Sequence, residues 1–396
     1  MVMRRAPPPT SREPMPVRTI AMVAAPVHPV PPRKGAAVEW WMYQSCRRLA
    51  GVEPHIVCIA TEDRPETETR DGIAFHRVRV GRLYRRVFQK ILGIDPYSYA
   101  QRVARRLDTI QPGIVHVHNA PALFTELVGH YRGSTRFILH MHNEMPVAPL
   151  PAGAVLFVVS RYLEKWYGAH LPGADIRIVT NGVDTDVFHP LPAPETAALR
   201  ARLKLPADKK IILYAGRISP EKGPLDLVHA FGELRKIRHD VLLVLVGEVR
   251  TGADRRGDYG RRLLAACEVL GTDCYHAGTV DPARMHEYYQ IADLAVVPSE
   301  FEEPFGMVAI EAMSAGAPVL ATRKGGLPEI VQEGVTGFLL DDAKNPGAFA
   351  RRLDELLNDT ARLEAVRQNA RAYVVQHHDW RIVSAQLETA YQELAN

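Results

Sequence analysis

Short apolar runs recur along the chain, each bounded by glycine, proline or charged residues and separated by stretches with apolar positions three and four apart. The runs at 17–25, 55–59, 73–80, 114–118, 137–141 and 155–159 predict strands, with helices over 34–49, 97–109 and 161–168 between them. The runs are continuous rather than alternating, as in parallel strands buried on both faces. Ser160 stands where it can cap the helix at 161–168. The pattern then repeats. Strands are predicted at 211–215, 241–246, 274–276, 294–297, 318–321 and 337–340, and helices at 225–237, 261–270, 282–291, 346–357, 362–376 and 380–394. Strands alternating with helices imply α/β, doubly wound parallel sheets. A length of 396 residues suits two domains: a tail at 1–16, a first domain over 17–187 and a second over 188–377. The Pro-rich segment 191–194 reads as the linker.

Composition narrows the class. No apolar run reaches about 18 residues, so no transmembrane helix is expected. The start, 1–16, is rich in Pro and Arg without an apolar stretch. It reads as a disordered tail rather than a secretory leader, with Met3 or Met15 as alternative starts. Cys46, Cys58, Cys267 and Cys274 show no CxxC spacing; buried thiols in a reducing cytoplasm are expected, with neither zinc nor disulfides. The net charge of +4 divides into about +8 over 1–190 and about −4 over the rest. Much of the excess lies between 77 and 106, from Arg77, Arg79, Arg82, Arg85, Arg86 and Lys90 to Arg102, Arg105 and Arg106. A solvated helix face is the plain reading; an anionic acceptor, or peripheral contact with an anionic inner-membrane face, is the functional one. No nucleic-acid motif accompanies the charge.

The candidate chemistry gathers around one stretch, Val297 to Gly316. An apolar strand leads into a loop of carboxylates, and a helix follows that ends at Gly316. Glu303 is expected on the loop and Glu311 inside the helix. In open α/β sheets ligands bind beyond the carboxyl ends of strands, so the N–H groups of Phe305, Gly306 and Met307 are placed to meet an electron-rich ligand. Arg217 and Lys222 share the loop Gly216–Gly223, and two cations in one loop suit a diphosphate. Gly247 and the segment Gly278–Val280 follow neighbouring strands, where backbone could meet a nucleobase. Glu311 suits paired ribose hydroxyls. Gly35, between the first strand and helix, is a second phosphate-loop candidate or an ordinary turn glycine.

Histidines need separate weighing. His142 follows a strand and is a site candidate; His116 and His118 read as core or rim residues. His140 and His142 are expected on opposite faces of their strand, which argues against a shared metal. Asp184 and Asp186 lie in the turn 180–188 and read as capping residues rather than a metal-binding pair.

The segments Ala215–Gly223 (AGRISPEKG), Gly325–Glu329 (GGLPE) and the Glu303…Glu311 pair together resemble the retaining, nucleotide-sugar-dependent glycosyltransferases of GT-B fold, in the large family 4. The resemblance covers about 18–390 and is strongest from Asn181 to Leu340. It implies two Rossmann-like domains facing across a cleft, acceptor side first and donor side second, with the helix at 378–396 crossing back to the first. It implies a UDP-hexose donor, with GDP-mannose second, and a glycan, lipid-linked or small-molecule hydroxyl as acceptor. His142 would line the donor sugar, Glu303 would lie near it, and Arg217 and Lys222 would hold the leaving diphosphate during front-face attack. No cofactor or metal is expected. The family often has two adjacent glycines where this chain has Gly35 and Ala36. A nucleotide-sugar 2-epimerase, a pyridoxal-dependent phosphorylase and a non-catalytic nucleotide-sugar binder are the competing readings.

Overall fold

Each predicted apolar run becomes a strand because its two faces meet different layers. In the computed structural model, which describes residues 19–32, 35–81, 97–249 and 255–395, the first sheet comprises β1 (Thr19–Val23), β2 (Glu53–Ile59), β3 (Thr67–Arg70), β4 (Ile73–Val78), β5 (Ile114–His118), β6 (Arg136–Met141), β7 (Val155–Val158) and β8 (Asp175–Ile178). Its order is β3-β4-β2-β1-β5-β6-β7-β8. Only β3 runs antiparallel, against β4, among the described pairings. The second sheet comprises β9 (Lys210–Ala215), β10 (Val241–Val246), β11 (Cys274–Gly278), β12 (Leu294–Val297), β13 (Val319–Thr322) and β14 (Phe338–Leu340). Its order is β11-β10-β9-β12-β13-β14, parallel throughout. Along β9, Ile211 and Leu213 enter one core layer while Ile212 and Tyr214 enter the other. Both sheets therefore bury two faces, and helices cover them.

Both sheets reverse strand order beside their first strand, between β1 and β5 and between β9 and β12. A crevice opens at such a switch point because adjacent loops leave in opposite directions. The loops carrying Lys222 and Glu303 flank the second of these crevices.

The helix Trp380–Ala395 packs on the first sheet. Its buried residues Trp380, Val383, Leu387, Tyr391 and Leu394 join Ile20, Met22, Ile56 and Phe157 in one cluster. The turn that starts this helix is pinned to the NGVD segment. Val183 N–H donates to His378 O at 2.8 Å, and Trp380 N–H to Val183 O at 3.2 Å. Asp184 accepts from Asp186 N–H and pairs with Arg48 at 2.8 Å, while Asp186 pairs with Arg381 at 3.2 Å. The two carboxylates thus go to different cations.

Elements absent from the sequence pattern include β3, β8, the short helix Leu327–Ile330, and the helices Pro121–His130 and Ala193–Arg202. The last replaces part of the expected linker. Pro194 lies in its first turn, where a missing N–H costs nothing. Cys46 and Cys58 are buried, but Cys267 and Cys274 are only half-buried. Cys274 lies on the edge strand β11 and its thiol hydrogen-bonds that of Cys267. The tail 1–16, Lys34 and the basic residues 82–92 lie outside the described residues.

Candidate active site

Three strand ends of the second sheet meet in glycines. Gly216 N–H donates to Val246 O at 3.0 Å, and Gly247 N–H donates to Gly278 O at 2.9 Å. A side chain on Gly247 (φ +157°) would lie 2.1 Å from Gly216 O. The loops after β9, β10 and β11 are therefore layered backbone on backbone, with half-buried Val280 just beyond. Exposed Arg217 follows Gly216, and its carbonyl accepts from Tyr214 Oη at 2.7 Å.

The β9 loop is stitched to the β12 loop. Glu300 N–H donates to Glu221 O at 2.9 Å, and Gly223 (φ +67°) leaves no room for a Cβ beside Pro298 O. This contact brings Lys222 Nζ to Glu303 Oε1 at 2.5 Å, with Ser299 Oγ donating to the same oxygen at 2.6 Å. Lys222 Nζ also lies 4.7 Å from the centre of the Phe301 ring. Glu303 is only 7% exposed, so it is not a solvated loop carboxylate. Its backbone is clamped by the β13 loop: Gly326 N–H donates to Glu303 O at 2.7 Å, and Gly325 (φ +55°) passes so close that a Cβ would lie 2.2 Å from the same oxygen. Gly306 supplies no side-chain cap to the helix Met307–Ser314, which leaves first-turn N–H groups at Met307 to a ligand.

Glu311 is half-buried and accepts from Tyr289 Oη at 2.9 Å. Burial pushes its carboxyl up to about 7, against the lowering effect of the Tyr289 hydrogen bond. Ser299 and Tyr289 were missed in the sequence. Ser299 belongs to no periodic pattern, and Tyr289, inside the predicted helix 282–291, reaches Glu311 only through the fold.

The first domain reaches this loop region through its own strand ends. Ser160 Oγ caps its helix at Leu163 N–H and also donates to Pro304 O at 2.5 Å. The free N–H groups of Arg161 and Tyr162 are taken by Glu329 across the domains, at 2.9 and 2.6 Å. Phe305 packs on His378, whose Nδ1 is 3.3 Å from Asn181 O. Asn181 in turn hydrogen-bonds His142, which burial drives down to about 3. His142 is therefore neutral and linked through two residues to the Phe305 loop.

One expectation needs correction. Residues i and i+2 of a strand share a face, so His140 and His142 lie together, their rings stacked with centres 4.4 Å apart. Gly35 is exposed, and a side chain there would meet no atom within 4 Å, so the space beside it is open. His116 and His118 are fully buried core residues as expected. Part of the basic region is assembled: Arg77, Arg79, Arg102, Arg105 and Arg106 line one depression with Tyr97. Arg77 and Arg79 are paired there with Glu68 and Glu66.

Two doubly wound sheets, with glycine-layered strand ends and an ion pair at the switch point of the second, define the GT-B architecture. The chain matches the family Glycosyl transferases group 1 over residues 195–373 and Glycosyltransferase Family 4 over 38–187. It is 35% identical to the lipopolysaccharide 1,2-N-acetylglucosaminetransferase of Salmonella typhimurium, over 94% of this chain and 97% of that one. It is 26% identical to spore coat protein SA of Bacillus subtilis, over 94% and 99%. Its fold is shared with sucrose-phosphate synthase from Thermosynechococcus elongatus (TM-score 0.77, 24% identity, 95% and 99% covered) and with Anabaena HepE in complex with UDP-glucose (TM-score 0.71, 18% identity, 94% and 99% covered). The chain belongs to the group 1, family 4 glycosyltransferases. Among the described residues no helix is long and apolar enough to cross a membrane.

Proposed function

We propose that this chain transfers a UDP-activated hexose or N-acetylhexosamine, with retention and without a catalytic metal, to a hydroxyl of a lipopolysaccharide-type glycan. The observation that carries the reading is Lys222, fixed at the switch point of the second sheet by Glu303. An ammonium has three donors; Glu303 takes one, and two remain for diphosphate oxygens. Arg217 adds charge from the same loop. Glu311 and the strand-end glycines hold the nucleoside, and the first-turn N–H groups of Phe305–Met307 meet the sugar. The lipopolysaccharide transferase matched along nearly its whole length supports the acceptor class. The arginine depression of the first domain offers charge to a phosphorylated acceptor.

The acceptor oxygen attacks the anomeric carbon on the face the diphosphate leaves. The carbon–phosphate-oxygen bond breaks as the new carbon–oxygen bond forms, and the acceptor proton passes to the departing phosphate. Lys222 and Arg217 stabilise the charge that develops there. Glu303, already accepting from Lys222 and Ser299, is a fixed negative group near the anomeric carbon rather than a free nucleophile. Neutral His142 lines the sugar pocket. Closure of the two domains excludes water, which would otherwise hydrolyse the donor.

The test incubates the chain with UDP-glucose, UDP-galactose, UDP-N-acetylglucosamine or GDP-mannose, with and without truncated lipopolysaccharide acceptors, and reads nucleotide release and product stereochemistry. Acceptor-dependent UDP release with a retained anomeric centre is expected. Conversion of donor to its 2-epimer without acceptor, binding without turnover, or an inverted product would overturn the reading.

A further inference from the structure

The first sheet carries an arrangement that donor chemistry does not use. On the face that meets the helices Ala37–Cys46 and Trp380–Ala395, strands β5 and β6 carry Ile114 and Ile138. Further along the same face they continue with His116, His118, His140 and then His142. The register aligns His118 with His140 on neighbouring strands. His116, His118 and His140 are completely buried, and their ring nitrogens come within 4.8 Å of one another. Trp41 closes the cluster, its ring 4.7 Å from that of His140 and 5.0 Å from that of His118.

The nitrogens facing this space lack partners. Nε2 of His116, Nε2 of His118 and both ring nitrogens of His140 are buried without a hydrogen bond of good geometry, the Val179 backbone lying beside His140. The outward nitrogens are held. His116 Nδ1 lies 2.6 Å from Tyr391 Oη, and His118 Nδ1 lies 3.4 Å from His142 Nε2. Buried polar atoms without partners are costly. Imidazoles oriented by a hydrogen bond at one nitrogen and open at the other have the form of metal ligands.

We propose that His116, His118 and His140 form a three-imidazole site for a borderline divalent transition ion of the zinc class. It is separate from the Lys222–Glu303 loops, and a solvent molecule completes its coordination. An all-nitrogen set selects Zn²⁺, Co²⁺, Ni²⁺ or Cu²⁺ over Mg²⁺ and Ca²⁺. With metal–nitrogen bonds of about 2.0–2.1 Å, the three rings draw together around the ion. The ion then cross-links β5 to β6 beneath Trp41.

The experiment uses the full chain purified from zinc-supplemented cells, its metal content measured, and the stripped chain titrated with Zn²⁺ and Co²⁺. One ion per chain is expected, with Co²⁺ giving visible bands of a four-coordinate site and quenching tryptophan fluorescence. His140→Gln should weaken binding by at least the roughly 10–100-fold typical of losing even an outer partner, while His130→Gln, at an exposed position, should bind as the parent does. Should His140→Gln fail to fold, X-ray absorption on the unsubstituted chain decides, since three imidazole shells must appear. Absence of stoichiometric metal in both the purified and the titrated chain, a non-imidazole shell, or unchanged binding by folded His140→Gln overturns the site and leaves a buried water as the partner of these nitrogens.

Discussion

Lys222 and Glu303 depend on each other. The lysine holds a carboxylate that is 7% exposed, and the carboxylate aims an ammonium at the crevice. Lys222→Ala should cost about 2–4 kcal/mol of transition-state stabilisation, roughly 30-fold to 10³-fold in kcat/KM for the donor. The KM for the acceptor should change little. Thermal melting is the control, because the variant leaves Glu303 buried and unpaired. Unaltered donor kcat/KM in a folded variant would remove Lys222 from the leaving-group role. Glu311 gives a pH dependence. Its folded pKa of about 7 lies above the ordinary carboxylate value, so between those values the folded chain binds more protons than the unfolded one, and this group's contribution to stability declines as pH rises toward 7. In the proposed donor complex the ionised form would accept two ribose hydroxyls. Affinity for a nucleotide sugar should therefore rise from pH 6 to 8, and Glu311→Gln should flatten that rise; calorimetry at several pH values checks both. The sequence exposed Glu303, Glu311 and Lys222 because motif and strand-end position coincide there. It concealed Ser299 and Tyr289, which act on those carboxylates through contacts that only the folded loops create. The pairing of His140 with His142 was misjudged, since strand alternation places i and i+2 together.

At the scale of elements, the loop after β13 works as a clamp. Gly325 has a left-handed backbone and touches Glu303 O, so no side chain fits there. Gly325→Ala should cost about 1–3 kcal/mol in stability. It should also lower kcat by roughly tenfold to a hundredfold, as displacement of a positioned group by about 1 Å does. Denaturant unfolding and steady-state kinetics separate the two effects; a variant that loses stability but keeps kcat would show that Glu303 does not depend on this clamp. The strands lining the crevice were legible because burial on both faces produces continuous apolar runs. Thr67–Arg70 and Asp175–Ile178 were not, since edge strands meet water on several sides and carry no such run. The helix Ala193–Arg202 was hidden by the proline in its own first turn.

The whole molecule joins two domains by few polar contacts, and these decide how closure responds to ligand. On the proposed reading, a diphosphate held by Lys222, Arg217 and helix N–H groups would need no Mg²⁺, and a three-imidazole set would not select that ion. Transfer should persist in excess EDTA and gain nothing from added Mg²⁺ or Mn²⁺; activity lost in EDTA and restored by either ion would return metal to the chemistry. Closure itself turns on Glu329. Its carboxylate occupies the N-terminus of the helix Arg161–His170, accepting from Arg161 and Tyr162 N–H, while the adjacent Ser160 hydroxyl binds Pro304 O. One motif thus ties its own domain to the other at the loop that also holds Glu303. A carboxylate capping a helix contributes about 0.5–2 kcal/mol, and here that energy exists only while the domains are together. Glu329→Ala should therefore shift the unliganded chain toward an open form, seen as a larger radius of gyration in solution scattering. Donor KM should rise a few-fold, because binding must then supply the lost closure energy. Donor saturation should restore the closed dimensions, and kcat should stay within about a factor of three, since the chemistry in the closed state is unchanged. Unaltered scattering together with unaltered KM would reduce Glu329 to a surface contact and move control of closure to the Val183–Asp379 pairing, where the chain crosses back to the first domain.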